Sequence, residues 1–290
     1  MRKNSYLSYT FPTNDEIDAL NKECYDNIAH EYSNSSHETC RDFDRCTRIF
    51  LNIYVEGKLG ESKFLAQNSQ LRYLDVGVGT GISLETIVKK VGNDEYNKRF
   101  IDLLTLFGSQ IDVLDISENM LEIVRGKFGP TISRYINSSI YRYTSNCKYD
   151  LIVAAMCDPY LTSTFVKKAA SLLDNNGILL LTFPHSEWMK RVRSEQCLEK
   201  TTFRSVCGHI YKSFSFCKHP SDLLEDFLMR DIHLVNRNTR YLRELSLKHD
   251  DQLSSINLTL LDKYGDSKFC TSLVLKKIET SRGAGHATDI

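Results

Sequence analysis

Apolar residues return at helical spacing early in the chain. Between Asn14 and Tyr32, Ile17, Leu20, Cys24 and Ile28 stand among polar neighbours, which predicts an amphipathic helix before the core begins, placed to act as a lid. Cys40 to Leu59 reads as a second helix whose end is loosened by Gly57 and Gly60. The pattern then changes to short apolar runs. Leu71 to Val76 is a strand closed by the glycine turn Gly77-Val78-Gly79-Thr80-Gly81, and Leu84, Ile87, Val88 and Val91 form one face of a helix that Gly92 would cap. A second strand, Ile111 to Leu114, ends at Asp115, and Ser117 is placed to cap a helix with Met120, Ile123 and Val124 inward.

A third strand is expected around Arg134 to Ile136. Leu151 to Ala155 is an apolar run of the kind buried on both faces of a parallel sheet. A helix with Phe165, Ala169, Leu172 and Leu173 leads through Asn175-Asn176-Gly177 into a fifth strand, Ile178 to Leu181, which Pro184 stops. Beyond it the pattern is irregular to about Gly208. Ile210 to Phe216 follows, then a helix with Leu223, Leu224, Phe227 and Leu228, and two closing strands near Leu258 and at Phe269 to Leu275. The segment Thr280 to His286 lacks apolar periodicity and is expected to be disordered.

The repeated order of strand and helix predicts an α/β fold with a mostly parallel sheet. At 290 residues the chain is long enough for one such core with elaborations. We divide it into an N-terminal helical lid (1–60), a Rossmann-like domain (61–278) with an insertion near 185–208, and a tail (279–290).

Composition narrows the function classes. Basic and acidic residues number 37 each, so there is no bulk positive field to gather nucleic acid or an anionic membrane. The opening residues lead into no apolar signal-like stretch, and no uncharged run is long enough to span a bilayer, from which a cytoplasmic protein is expected. Nine cysteines without a Cys-x-x-Cys pair suit a reducing compartment. The groupings His37, Cys40, Cys46 and Cys207, His209, Cys217, His219 match no common zinc spacing, so no metal is expected.

The chemistry gathers at two strand ends. Three alternate glycines after a buried strand let the backbone turn tightly and a ligand lie almost against it. The dinucleotide pattern G-x-G-x-x-G is not met, because Ile82 holds the place of its third glycine. The run Asp75-Val76-Gly77-Val78-Gly79-Thr80-Gly81 instead resembles the class I S-adenosylmethionine-dependent methyltransferases, and Val113-Leu114-Asp115-Ile116-Ser117-Glu118-Asn119-Met120-Leu121 looks like that family's second motif.

Tyr149 to Val153, Leu172 to Ile178 and the lid-like Tyr25 to Tyr32 extend the resemblance over about Tyr25 to Pro184. It implies a seven-stranded, mostly parallel sheet with helices on both faces, and S-adenosylmethionine as cofactor. It also implies that Asp75, Gly77, Gly79 and Gly81 hold the methionine part, and that Asp115, with Ile116 and Met120 beside it, holds the ribose. Asp112 is the rival acid, but it lies inside its strand. The family's third acid is missing here, leaving Ser139 and Ile140 as adenine-side candidates. Tyr25 and Tyr32 are the candidates to close over the sulfonium.

Ligands in such sheets sit beyond the carboxyl ends of the strands. That makes His185 the candidate general base, with His30 and His37 as rivals, and Asp158 a candidate for binding the acceptor or orienting the histidine. Tyr160 and Trp188 are candidate acceptor walls. Asp158-Pro159-Tyr160 also resembles the Asp/Asn-Pro-Pro-Tyr motif of enzymes that methylate nucleobase amino groups, with one proline absent. A small-molecule acceptor is the first reading, with a homodimer as an open option. The rivals are methylation of RNA or protein, docked through Lys190, Arg191, Arg193, Lys200 and Arg204, and a non-catalytic cofactor-binding scaffold.

Overall fold

The computed structural model describes residues 11–32, 38–56, 70–91, 94–193, 199–241, 244 and 266–278. His37, Gly57, Gly60, Gly92, the run near Leu258 and the tail from Thr280 to His286 lie outside the described residues.

Two helices come first. Helix α1 (Asn14–Ile28) starts at a reciprocal capping box, in which Thr13 and Glu16 satisfy each other's backbone N–H groups. It buries Ile17, Cys24 and Ile28, three of the four apolar positions read from its spacing. Helix α2 (Glu38–Tyr54) buries Phe50, Leu51 and Tyr54.

The central sheet has seven strands: β1 (Arg72–Val76), β4 (Gln110–Asp115), β5 (Arg134–Asn137), β6 (Tyr149–Ala155), β7 (Leu173–Pro184), β10 (Ile232–Tyr241) and β11 (Lys268–Lys277). They lie in the order β5-β4-β1-β6-β7-β11-β10. The five from β5 to β7 run parallel, and β11 alone runs against its neighbours. The order in which strands are added therefore reverses at β1, with β4 on one side and β6 on the other, and a crevice opens at that switch point.

Successive residues of each strand feed opposite layers. Leu74, Val76, Leu114, Ile152 and Leu181 join Ile17 of α1 and the buried faces of α5 (Ser163–Leu172) and α7 (Pro220–Leu228). Tyr73, Ile111, Val113, Leu151 and Val153 join α2, α3 (Phe100–Leu106) and α4 (Glu118–Phe128). Helices thus cover both faces, as the continuous apolar strands demand.

One expectation is corrected. The stretch after the glycine turn is not a helix. Residues 79–85 form turns, Ile87–Val91 is a strand (β2), and it pairs antiparallel with β3 (Asp94–Arg99). Leu84, Val88 and Val91 are buried as a helical face would be, but Thr86, Ile87 and Val88 are β-branched, and that composition favours a ribbon over a short helix. The edge strand beside β11 is β10, Ile232–Tyr241, whose alternation the polar stretch Asn236 to Arg240 obscures.

Beyond β7 come α6 (Ser186–Val192) and a two-stranded ribbon, β8 (Lys200–Arg204) and β9 (Ile210–Phe214). Asn21 fastens this ribbon to α1, its side-chain oxygen accepting from Phe214 N at 2.8 Å and from Ser213 Oγ at 2.9 Å. No helix among the described residues is long and apolar enough to cross a membrane.

Candidate functional site

At the carboxyl ends of β1, β4 and β6 lies a pocket of about 840 Å³, its open mouth included. The glycine turn forms its floor. Gly77, Gly79 and Gly81 all have positive φ (65°, 53° and 87°), a region that side-chain-bearing residues rarely adopt. A Cβ on Gly77 would meet nothing within 4 Å, so there the missing side chain leaves open space against the backbone.

Gly81 is required for another reason. A Cβ there would stand 2.7 Å from Phe128 Cε2, so this glycine lets the turn approach α4 and does not line the pocket. Gly81→Ala is expected to destabilise the fold by about 2 kcal/mol through overpacking and positive-φ strain. Thermal unfolding should show a Tm lower by several degrees, and an unchanged Tm would mean that the turn and α4 part without cost.

Two carboxyl groups flank the floor. Asp75, 1% exposed, accepts through Oδ2 from Tyr73 Oη at 2.9 Å and from Ser83 Oγ. Its Oδ1 has no hydrogen-bond partner among the described residues. Burial pushes this carboxyl up to about 7, against the lowering effect of the two hydroxyls, and nearby Asp115 adds to the rise. Asp115 accepts from Gly79 N at 2.8 Å and Ser117 N at 2.9 Å, one per oxygen, and burial holds it at about 6. Each of its oxygens keeps a second lone pair for a ligand hydroxyl. The rival Asp112 is spent on structure, accepting from Arg134 Nε at 3.0 Å and Tyr149 Oη at 2.8 Å.

The walls come from several elements. Ile116 and Met120 enter from the start of α4, which Ser117 caps as expected, its Oγ accepting from Met120 N at 3.2 Å. Ile140 and Ser138 enter after β5. Ser139 is turned away, its Oγ accepting from Tyr141 N at 3.1 Å. Tyr25 and Tyr32 line the mouth, their ring centroids 6.3 Å apart and 5.9 and 6.1 Å from Phe203 of β8. Tyr160 lines the side beyond β6, and its buried hydroxyl has no partner among the described residues.

Solved structures share this arrangement of sheet and helices. A 1,6-didemethyltoxoflavin-N1-methyltransferase from Burkholderia thailandensis, crystallised with 1,6-didemethyltoxoflavin and S-adenosylhomocysteine, matches over 94% of both chains, with a TM-score of 0.51 and 12% identity. The fold is that of the class I methyltransferases.

The CcbJ methyltransferase of Streptomyces caelestis matches 90% of this chain and 99% of its own at TM-score 0.53 and 13% identity. The magnesium protoporphyrin IX methyltransferase of Synechocystis, with bound S-adenosylhomocysteine, matches 90% and 97% at TM-score 0.52 and 13% identity. Among curated sequences, malonyl-(acyl-carrier protein) O-methyltransferase 1 of Ilyobacter polytropus is 28% identical over 153 residues, or 51% of this chain. The match spans about half, 48%, of that relative's length. No protein-family profile matches the chain.

On this methyltransferase fold several sequence candidates stand apart from the pocket lining. His185 is 1% exposed and caps α6, its Nδ1 accepting from Glu187 N at 3.0 Å. Burial, helped by Lys268, lowers its basicity to about 4. Asp158 is buried against Ser215 Oγ, and burial raises it to about 6 while Ser215 and Arg193 oppose the rise. Trp188 packs edge-on to Phe269, centroids 5.0 Å apart, inside a separate apolar cluster.

Arg193 turns inward, donating to Ser215 O at 2.8 Å and Ser215 Oγ at 2.7 Å, which removes it from the expected basic docking face. Among the described residues no group of His, Cys, Asp or Glu is arranged to hold a metal ion.

Sequence reasoning missed Asp44 and Thr47 of α2, which line the pocket beside Met156 and Cys157. Thr47 Oγ1 lies 3.0 Å from Thr182 Oγ1 of β7, which also accepts from Met156 N at 3.1 Å. The available signal was polar residues three apart beside the buried stripe Phe50, Leu51 and Tyr54.

Proposed function

We propose that the chain is an S-adenosylmethionine-dependent methyltransferase that moves a methyl group to a small-molecule acceptor by in-line displacement. The observation that carries the reading is the buried Asp75 Oδ1, without a partner among the described residues, on the wall of a pocket floored by glycines. A buried carboxylate oxygen left without a partner is costly, and a cationic amino group meets that need. The site fits the cofactor by this test. Asp75 would hold the amino group, Gly77 and Gly79 would let the methionine part lie against the backbone, and Asp115 would accept from both ribose hydroxyls. Ile116, Met120 and Ile140 would face the adenine.

When bound, the cofactor supplies an electrophilic methyl on a sulfonium. What the protein adds is alignment and exclusion of water. Tyr25 and Tyr32 close the mouth and present ring faces to positive charge. The clamp of Asn21 on Phe214, with Asn21 Nδ2 reaching Pro159 O at 3.5 Å, holds lid, ribbon and the loop after β6 together around the acceptor. The closed setting and zero net charge support a small acceptor over RNA or protein. Residues 1–60 serve as lid and 61–278 as catalytic domain in this reading, in a cytoplasmic protein.

Calorimetric titration tests it, with S-adenosylmethionine, S-adenosylhomocysteine and a NAD control. Saturable one-to-one binding of the first two is expected, and binding of NAD alone would overturn the reading. Proton release gives a second readout. Asp75 titrates at about 7 before binding, and pairing with a cation pulls it down. Binding at pH 6 should release close to one proton, and release falls as pH rises through 7, where uptake by the cofactor's own amino group begins to offset it. Buffers of different ionisation enthalpy measure it. Net uptake across that range would show that Asp75 does not meet the amino group. Turnover of any acceptor, followed by homocysteine release, excludes a non-catalytic scaffold.

A further inference from the structure

Three carboxyl-bearing residues, Asp44, Asp75 and Asp115, line the pocket, and among the described lining residues there is no lysine, arginine or histidine. The proposed cofactor contacts use two of the three. Asp75 and Asp115 close β1 and β4, on one side of the switch point. Asp44 belongs to the other side. It shares its helix face with Thr47, which meets Thr182 of β7, and Met156 of the loop after β6 completes that contact. Tyr160 follows β6 on the same side, with its buried hydroxyl unpartnered among the described residues. This half of the pocket thus offers a carboxyl and two threonine hydroxyls paired to each other, with no cation among its described lining residues, and Arg48, the cation that acts on Asp44, is turned to Glu85 at 3.8 Å.

We propose that the acceptor carries an amine or hydroxyl group whose proton Asp44 accepts at the β6–β7 side of the pocket, and that a carboxylate is disfavoured there. The inference rests on the methyltransferase reading and sharpens it to a substrate class. Beside S-adenosylhomocysteine, whose thioether carries no charge, an anionic acceptor would enter a half-buried site next to the like charge of Asp44. A hydrogen-bond donor satisfies Asp44.

In the transfer the acceptor's lone pair forms the new bond to the methyl carbon. The carbon–sulfur bond breaks with its electron pair left on sulfur, and the acceptor's proton passes to the Asp44 carboxylate. Burial lifts Asp44 to about 7, with Asp42 adding to the rise and Arg48 opposing it, a basicity suited to taking that proton near neutrality.

The test uses the full chain saturated with S-adenosylhomocysteine, so that loss of cofactor binding is seen first and separately. Benzylamine, benzyl alcohol and benzoate, matched in size, are then titrated at millimolar concentration by saturation-transfer NMR, with wild-type protein and Asp44→Asn. Benzylamine and benzyl alcohol are expected to bind in preference to benzoate by about tenfold or more. Asp44→Asn should shrink the amine-to-benzoate ratio by about tenfold while S-adenosylhomocysteine affinity stays within about threefold. The proposal is overturned if benzoate binds as well as benzylamine, if none of the three binds, or if the variant leaves the ratio unchanged. Failure of S-adenosylhomocysteine to bind would instead remove the methyltransferase reading beneath it.

Discussion

Asp115→Ala is expected to weaken S-adenosylmethionine binding by about 100-fold. Two hydroxyl hydrogen bonds to one carboxylate are together worth about 3 kcal/mol, and that free energy is about two decades in Kd. The same change should lower the Tm of the ligand-free protein. Gly79 N and Ser117 N both donate to this carboxylate, and alanine leaves two backbone N–H groups of the pocket floor without their acceptor. A loss of affinity without a loss of stability would mean that water replaces the carboxylate in the turn. Unchanged affinity would send the ribose elsewhere in the pocket. Calorimetry and a thermal melt on one preparation separate these results.

This double duty explains why the second motif was legible. A carboxylate at the end of a buried strand, followed by a serine placed to cap a helix, carries a local signal, and both the cap and the strand end lie where the spacing put them. The glycine turn was readable for the same reason, since positive φ at Gly77, Gly79 and Gly81 is a backbone requirement that leaves its mark in sequence.

The acceptor side was not readable. His185 stands beyond a strand end as a catalytic base would, but its Nδ1 is taken by the cap of α6 and its ring is buried away from the pocket lining, a fact of packing that no spacing reveals. Asp44 and Thr47 reach the pocket only because α2 lies across the ends of β6 and β7, a contact between segments more than 100 residues apart. The helix expected after Gly81 failed because a period of three to four over eight residues does not distinguish a helix from a ribbon, and the β-branched residues decide the matter.

Asp75→Asn should separate binding from stability by moving them in opposite directions. The amide is the same size, and its oxygen can still accept from Tyr73 and Ser83, so the fold around it is kept. Its NH2 group then occupies the place of Oδ1 and points a donor where the cofactor's amino group needs an acceptor. Loss of this buried charge-assisted contact should reduce affinity by about 100-fold or more.

Stability responds the other way. The Asp75 carboxyl, ordinarily near 3.8, is raised to about 7 in the folded chain, so its stabilising contribution is complete below pH 4 and is lost as pH rises through 7. The asparagine has no charge to bury. Ligand-free Asp75→Asn should therefore melt above wild type at pH 8, by about 2 to 4 °C for each kcal/mol recovered, with the gap closing toward pH 5. A variant that binds as tightly as wild type would take away the ionic role of Asp75. One that melts lower than wild type at pH 8 would show that the carboxylate is compensated in the ligand-free protein. The predicted trade of apo stability for ligand charge is the physical sense in which this pocket is built for a cation.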